Sequence, residues 1–196
     1  MKSIAKMINN LTFWSLLLLL LLLGCRQSTP ASSGESFLPP PPADEEGLLL
    51  RLSAALIADP QQQSEKDHNA IIHYALDHLL EVQSTPSGLF YQILKPGTGA
   101  PLSWGERVSV HYRGYFTNGQ VFDASRQRGK PLEFYIGNMI DGWNEGLQLL
   151  RPGAQALLLI PSQLAYGESG LRDARGQVLV PPNSVLIFEI EVLRRL

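Results

Sequence analysis

From Arg107 to Phe116 the chain alternates strictly. Val108, Val110, Tyr112, Gly114 and Phe116 fall on one side, and Arg107, Ser109, His111, Arg113 and Tyr115 on the other. A period of two over ten residues is a long β-strand with one face turned to a core. The turn Thr117-Asn118-Gly119-Gln120 follows at once, with Asn-Gly suited to positive φ angles, so a second strand must return antiparallel. This hairpin commits the C-terminal part of the chain to an antiparallel sheet, and the neighbouring segments agree. Leu89 to Leu94 reads as a strand closed by Pro96-Gly97 and Gly99, and Leu132, Phe134 and Ile136 alternate with Glu133 and Tyr135. Ala154 to Ile160 is apolar throughout, as a central strand should be. In the last strand Leu186, Phe188, Ile190 and Val192 are expected to face inward, with Glu189 and Glu191 outward. Only Asp141 to Leu150 reads as helix among these strands, with Asp141 at the positive end of its dipole. The expected fold class is therefore α+β, an antiparallel half-barrel sheet curled over one short helix.

Ahead of the sheet lie two helical stretches. Leu48 to Ala58 is short and apolar, stopped by Asp59-Pro60. The second is expected from Ser64, with Asp67 completing a capping box, to about Val82. Its residues Ile71, Ile72, Ala75, Leu76, Leu79 and Leu80 make one apolar face. The sequence leaves open whether this face packs on the sheet, pairs with the first helix, or forms a homodimer seam through residues 44–83. His68, His73 and His78 are five apart and spread around the helix, so they do not make a metal site.

The first 25 residues carry an address. Lys2 and Lys6 precede an apolar run from Leu11 to Leu23, then Gly24 and Cys25. The run is short for a membrane span but fits a secretory signal. Cys25 is the chain's only cysteine, so it cannot form an intramolecular disulfide. The ending Leu22-Leu23-Gly24-Cys25 resembles the bacterial lipoprotein box, which implies cleavage before Cys25, lipidation of its thiol and a lipid-anchored protein of the cell envelope, at the periplasmic face or the outer membrane. Arg26 to Pro42 is rich in Ser, Pro and Gly and reads as a tether. The expected divisions are residues 1–24 as signal, 25–43 as acylated cysteine and tether, 44–84 as helical lead-in, and 85–196 as the sheet domain. A net charge of −2 without a basic stripe gives no footprint for nucleic acid.

The stretch Val110 to Trp143 gathers aromatic side chains, an Asp-Arg pairing and a glycine-flanked tryptophan, with no nucleophile–base pair and no phosphate loop. That composition suits a site working by binding and desolvation. Six motifs in order make it specific: V-H-Y-R-G at 110–114, G-x-x-F-D-A-S at 119–125 and G-W-N-E-G-L at 142–147, then P-S-x-x-A-Y-G at 161–167, V-P-P-N-S at 180–184 and the closing L-I-F-E-I-E-V-L. Together they resemble the FKBP-type peptidyl-prolyl cis-trans isomerases over residues 88–193. The resemblance implies an FKBP-like fold, prolyl isomerase activity on polypeptides, macrolide inhibitor binding and no cofactor. It further implies catalytic roles for Tyr112, Phe122, Asp123, Ile140, Trp143, Tyr166 and Phe188, and substrate contacts from Arg128, Leu132, Phe134, Met139 and Val180. Trp143 would floor the pocket, Phe122 and Phe188 would wall it, and the Ile140 N–H and Tyr166 hydroxyl would hold substrate carbonyls. Leu132 stands where the family usually has an aromatic, and the 168–179 loop is longer and more polar than in its smallest members. Both departures bear on substrate preference and drug affinity. The readings are then an isomerase for exported proteins, a prolyl-peptide chaperone with little turnover, or a structural lipoprotein acting through its helices.

Overall fold

The computed structural model describes residues 38–196. The signal-like segment 1–24, Cys25 and most of the tether lie outside the described residues. The described residues form one compact unit, with helical lead-in and sheet folded together.

In chain order the elements are helices α1 (Glu45–Ala54) and α2 (Gln63–Asp77), then strands β1 (Gln83–Ser84), β2 (Phe90–Lys95), β3 (Arg107–Phe116), β4 (Val121–Ala124) and β5 (Leu132–Tyr135). Helix α3 (Asp141–Gln148), strand β6 (Gln155–Ile160), the small pair β7 (Leu171–Arg172) and β8 (Val178–Val180), and β9 (Leu186–Arg195) complete the fold. The main sheet is antiparallel, in the order β1-β2-β6-β9-β3-β4, with β5 also on β3. β4 and β5 share one edge of β3: Arg113 to Tyr115 pair with β4, and Arg107 to Val110 with β5. The chain between them swings out through Ser125 to Pro131, and the candidate site opens beside that gap.

Two apolar clusters sandwich the sheet. On one face α3 contributes Trp143 and Leu147, packed with Leu150 against Val110, Tyr112, Leu158, Phe188 and Ile190. On the other, Leu48, Leu52, Ile71, Ile72, Tyr74 and Ala75 of the lead-in cover Phe90, Tyr115, Leu157, Leu159 and Ile187. β6 is apolar without alternation because neighbouring residues feed different cores, and both faces are dry. The apolar stripe of α2 is thus spent on its own sheet.

This second layer takes one of the options the sequence left open for α2, and it corrects the outward reading of Glu189 and Tyr115. Glu189, expected outward, is 1% exposed, because α2 covers the face it occupies. Arg113 lies 3.3 Å from its carboxylate, as a buried charge requires. Tyr115 is likewise buried, and its hydroxyl accepts from Tyr74 at 3.3 Å.

The helix ends also differ from the sequence reading. α1 starts at Glu45, where the Asp44 carboxylate accepts from Gly47 N–H at 3.0 Å, and stops at Ala54. Residues beyond it are drawn to α2: the Asn69 amide bonds both backbone groups of Ile57, at 2.9 and 2.8 Å. In α2 the capping carboxylate is Glu65, accepting from Gln61 and Gln62 at 2.7 and 2.9 Å. Those two bonds hold its pKa below the ordinary value. Asp67 instead points inward. The helix ends at Asp77 rather than Val82. Leu79 takes φ +52, and Leu80 N–H returns to the Ala75 carbonyl at 2.9 Å, putting the Leu80 side chain in the core. The β3–β4 turn is a three-residue loop rather than a two-residue one: only Gly119 is left-handed, at φ +82, and Phe116 N–H bonds the Gln120 carbonyl. The 168–179 segment is ordered into the β7–β8 hairpin, tied by the Asp173 carboxylate to Arg175 and Gln177 N–H.

Candidate active site

A hollow of about 280 Å³ opens on the α3 face of the sheet, lined by Tyr112, Phe122, Asp123, Asn138, Met139, Ile140, Trp143, Tyr166 and Phe188. Its walls meet because Gly114 has no side chain. Gly114 lies between Asp123 of β4 and Phe188 of β9 in the register. A Cβ there would fall 2.6 Å from the Phe188 ring and 2.8 Å from the Phe122 ring. The two rings stand edge to face at 5.6 Å.

The floor is Trp143, 1% exposed. Tyr112 and Phe188 approach it edge to face at 5.0 and 5.2 Å, the geometry that ring quadrupoles favour, and Phe134 lies tilted against it at 5.6 Å. Its depth is set by glycines on either side in α3. A Cβ on Gly142 would come 2.4 Å from Ile160, and one on Gly146 2.5 Å from Leu158, so α3 can lie down on β6. The indole Nε1–H is buried without an acceptor among the described residues.

One rim is polar and braced. The Asp123 carboxylate accepts from both the Tyr112 hydroxyl and the Arg128 guanidinium, and Arg128 also donates to the Tyr112 hydroxyl. The guanidinium lies 5.3 Å over the Tyr112 ring. Burial first, and then the bond to Asp123, push the Tyr112 pKa up to about 12, so this phenol stays protonated and holds the carboxylate. Ser125, fully buried, pins the swing after β4. Its Oγ accepts from Tyr112 N–H at 2.9 Å and donates to the Tyr112 carbonyl at 3.2 Å.

The opposite rim is the loop before α3. Asn144, 4% exposed, accepts from Gly137 and Met139 N–H at 2.8 and 3.2 Å and donates to the Met139 carbonyl at 2.6 Å. The Ile140 carbonyl is taken by the first turn of α3, while its N–H has no acceptor among the described residues. Across the hollow stands Tyr166. Burial, then the charge of Asp123, raise its pKa, and its hydroxyl carries no bond among the described residues. The site thus presents two donors, one backbone and one phenolic, over an aromatic floor.

The structure brings Tyr112, Phe122, Asp123, Met139, Ile140, Trp143, Tyr166 and Phe188 together around the hollow, as the motifs suggested. Four expected substrate contacts are not in its lining. Arg128 sits outside Asp123 as its clamp, Phe134 backs Trp143, Val180 is 1% exposed within the core, and Leu132 is half-buried against the same core. Leu132 and Phe134 on β5 and Val180 on β8 stand behind the lining, while Arg128 lies in the turn after β4, outside it. Asn138, Asn144, Ser125 and Gly114 were not singled out by sequence reasoning. Asn144 had a signal in its place beside Trp143 on the inward side of an amphipathic helix, where an amide must find backbone partners.

The model of the FKBP-type peptidyl-prolyl cis-trans isomerase family matches residues 100–193. The crystal structure of AtFKBP13 superposes with a TM-score of 0.55 at 38% identity, covering 60% of this chain and all of that one. The chain belongs to the FKBP-type peptidyl-prolyl cis-trans isomerase family. The structure of FkpA from Escherichia coli reaches a TM-score of 0.57 at 32% identity, over 76% of this chain and 70% of that one, so the FKBP likeness extends beyond the matched domain. Among curated relatives, a probable FKBP-type isomerase of Haemophilus influenzae is 44% identical over 113 residues, 58% of this chain and 45% of that protein. The FKBP-type 22 kDa isomerase of Escherichia coli K12 is 44% identical over 112 residues, 57% of this chain and 52% of that protein. The matches thus span about half the length, or less, of these FKBP relatives. Among the described residues there is no group of three or more His, Cys, Asp or Glu placed to hold a metal, and no helix long and apolar enough to cross a membrane.

Proposed function

We propose that the chain accelerates cis-trans rotation about X–Pro peptide bonds. The observation that carries this reading is the hollow itself, a buried indole floor walled by two phenyl rings that meet edge to face, with unpaired donors at Ile140 and Tyr166. The uncatalysed barrier of about 18–20 kcal/mol is amide resonance. The cis and trans forms differ by only about 1 kcal/mol yet exchange over tens to hundreds of seconds. In the twisted state the carbonyl loses polarity and the proline nitrogen becomes pyramidal. A dry aromatic hollow therefore penalises the planar, well-hydrated amide more than the twisted one, which is catalysis by differential binding. The Ile140 N–H and Tyr166 hydroxyl hold the chain on either side of the rotating bond, and Asp123, fixed by Tyr112 and Arg128, keeps the rim in shape. No proton moves and no covalent bond forms.

The proposed substrates are prolyl polypeptides exported to the cell envelope. Anchoring through acylated Cys25 is supported by the Lys2/Lys6 start, the 11–23 apolar run and the lone cysteine after Gly24. Macrolide binding in the same hollow belongs to this proposal. The test is the exchange rate of a Pro-containing peptide with the full chain and with its Phe122→Ala and Asp123→Ala variants. Acceleration by the parent and a fall of about tenfold or more in each variant support an isomerase. Equal, uncatalysed rates for all three, with the peptide still bound, would leave the chaperone reading instead.

A further inference from the structure

Helix α2 reaches the turn ahead of Tyr166 through one buried carboxylate. Asp67 is 2% exposed. Its Oδ2 accepts from the backbone N–H of Ser162 at 2.7 Å and from Ser162 Oγ at 2.6 Å, and its Oδ1 accepts from Gln63 Nε2 at 2.7 Å. A carboxylate removed from water must find such donors, and charge-assisted bonds this short are the strong kind. Ser162, itself 2% exposed, opens the single 3₁₀ turn Ser162–Leu164 that leaves the end of β6. The first N–H of such a turn has no partner within it. Asp67 supplies the acceptor from 95 residues away in sequence.

What hangs on that turn is Tyr166. The Ser162 carbonyl accepts from Ala165 N–H at 3.0 Å, and the Tyr166 carbonyl accepts from Gly170 N–H at 3.1 Å. The phenol is thus carried on a short run of backbone whose near end is fixed by Asp67. The Tyr166 hydroxyl has no bond of its own among the described residues, so its place is set by this backbone and by the packing of its ring against the core. We propose that Asp67 is a positioning residue for Tyr166, making the helical lead-in part of the isomerase site rather than a spacer. The activity arm of this proposal rests on the isomerase reading above; the positional arm does not.

The test is a double-mutant cycle on the full chain: parent, Asp67→Ala, Tyr166→Phe and the double variant. All four are first compared by thermal melts so that rates refer to folded protein. Tyr166→Phe removes one hydrogen bond and lowers kcat/KM for a prolyl peptide about tenfold. Asp67→Ala also lowers it about tenfold, an order below the roughly hundredfold that a 1 Å misplacement can cost. The double variant falls no further than either single one, because both act at the same hydroxyl. Asp67→Asn keeps an oxygen for Ser162 and stays within about threefold of the parent. In ¹³C-tyrosine spectra of Asp67→Ala, the Tyr166 ring signals move and those of exposed Tyr135 do not. Effects that multiply to about a hundredfold in the double variant, or Tyr166 signals that stay in place, overturn the proposal. If the parent itself does not speed exchange, the isomerase reading falls while the ring signals still decide the position of Tyr166. Should Asp67→Ala fail to fold, Ser162→Ala, which removes only the Oγ donor, carries the same cycle.

Discussion

Gly114 makes the hollow possible, and adding one methyl group there should close it. The new Cβ would lie 2.6 Å from Phe188 and 2.8 Å from Phe122, so at each contact the ring or β3 itself must yield by about 1 Å. Phe188 cannot, being 5% exposed and held among Tyr112, Trp143 and Phe122. Phe122 is half-buried at the rim and can move, but its free side is the hollow. Gly114→Ala should therefore cost about 1–3 kcal/mol, as overpacking does, and lower kcat/KM by about one to two orders of magnitude. The control is Gly119→Ala in the β3–β4 turn, where φ is +82 and no atom lies within 4 Å of the added Cβ. Left-handed strain there costs about 1–2 kcal/mol and leaves the hollow untouched. Urea unfolding measures the first quantity, and peptide exchange by NMR the second. Similar stability losses with divergent activities are the expected result. Parent-like turnover in Gly114→Ala, or an equal loss in Gly119→Ala, would refute the assignment of Phe122 and Phe188 as walls.

The remaining predictions concern protons. Tyr112 has an ordinary pKa of 10.0 when unfolded and about 12 when folded, so the folded chain keeps this proton more tightly. Stability from this group is then complete below pH about 10 and is lost as pH rises toward about 12, roughly 3 kcal/mol in all. Urea unfolding across that range should show a decline that is shallower in Tyr112→Phe, the residual slope coming from Tyr74, Tyr115 and Tyr166, which are also shifted upward. An unchanged slope would count against the buried phenol. Because no proton is transferred during rotation, kcat/KM in D₂O should match that in H₂O within about 20%; a twofold or larger solvent effect would point to acid–base chemistry instead.

The sheet and hollow were largely legible because their signals are local or ordered along the chain. The alternation of Arg107–Phe116, the apolar run at Ala154–Ile160 and the glycine-flanked Trp143 each name one element or one role. What escaped the sequence depends on partners far away. Glu189 looked outward because its alternation is correct; only the packing of Tyr74 and Ile71 from α2 makes that face an interior. Asp67 looked like a helix cap because a carboxylate near a helix start usually is one, and its true partner is 95 residues distant. Phe134 was correctly read on the inward alternation of its strand, but the sequence does not say which inward residues touch the hollow and which stand behind it. Asn144 and Gly114 act through what they leave open: loop amides held in place, and space for two rings.

The central claim is that the hollow favours a prolyl amide twisted out of plane over a planar one. Its most direct test is calorimetric titration of the full chain with two short ligands. One is a prolyl peptide, and the other a mimic whose carbonyl is locked perpendicular to the prolyl nitrogen plane. Differential binding predicts that the twisted mimic binds at least about a hundredfold more tightly, with that advantage lost in Phe122→Ala. Equal affinities for the two ligands would contradict the account.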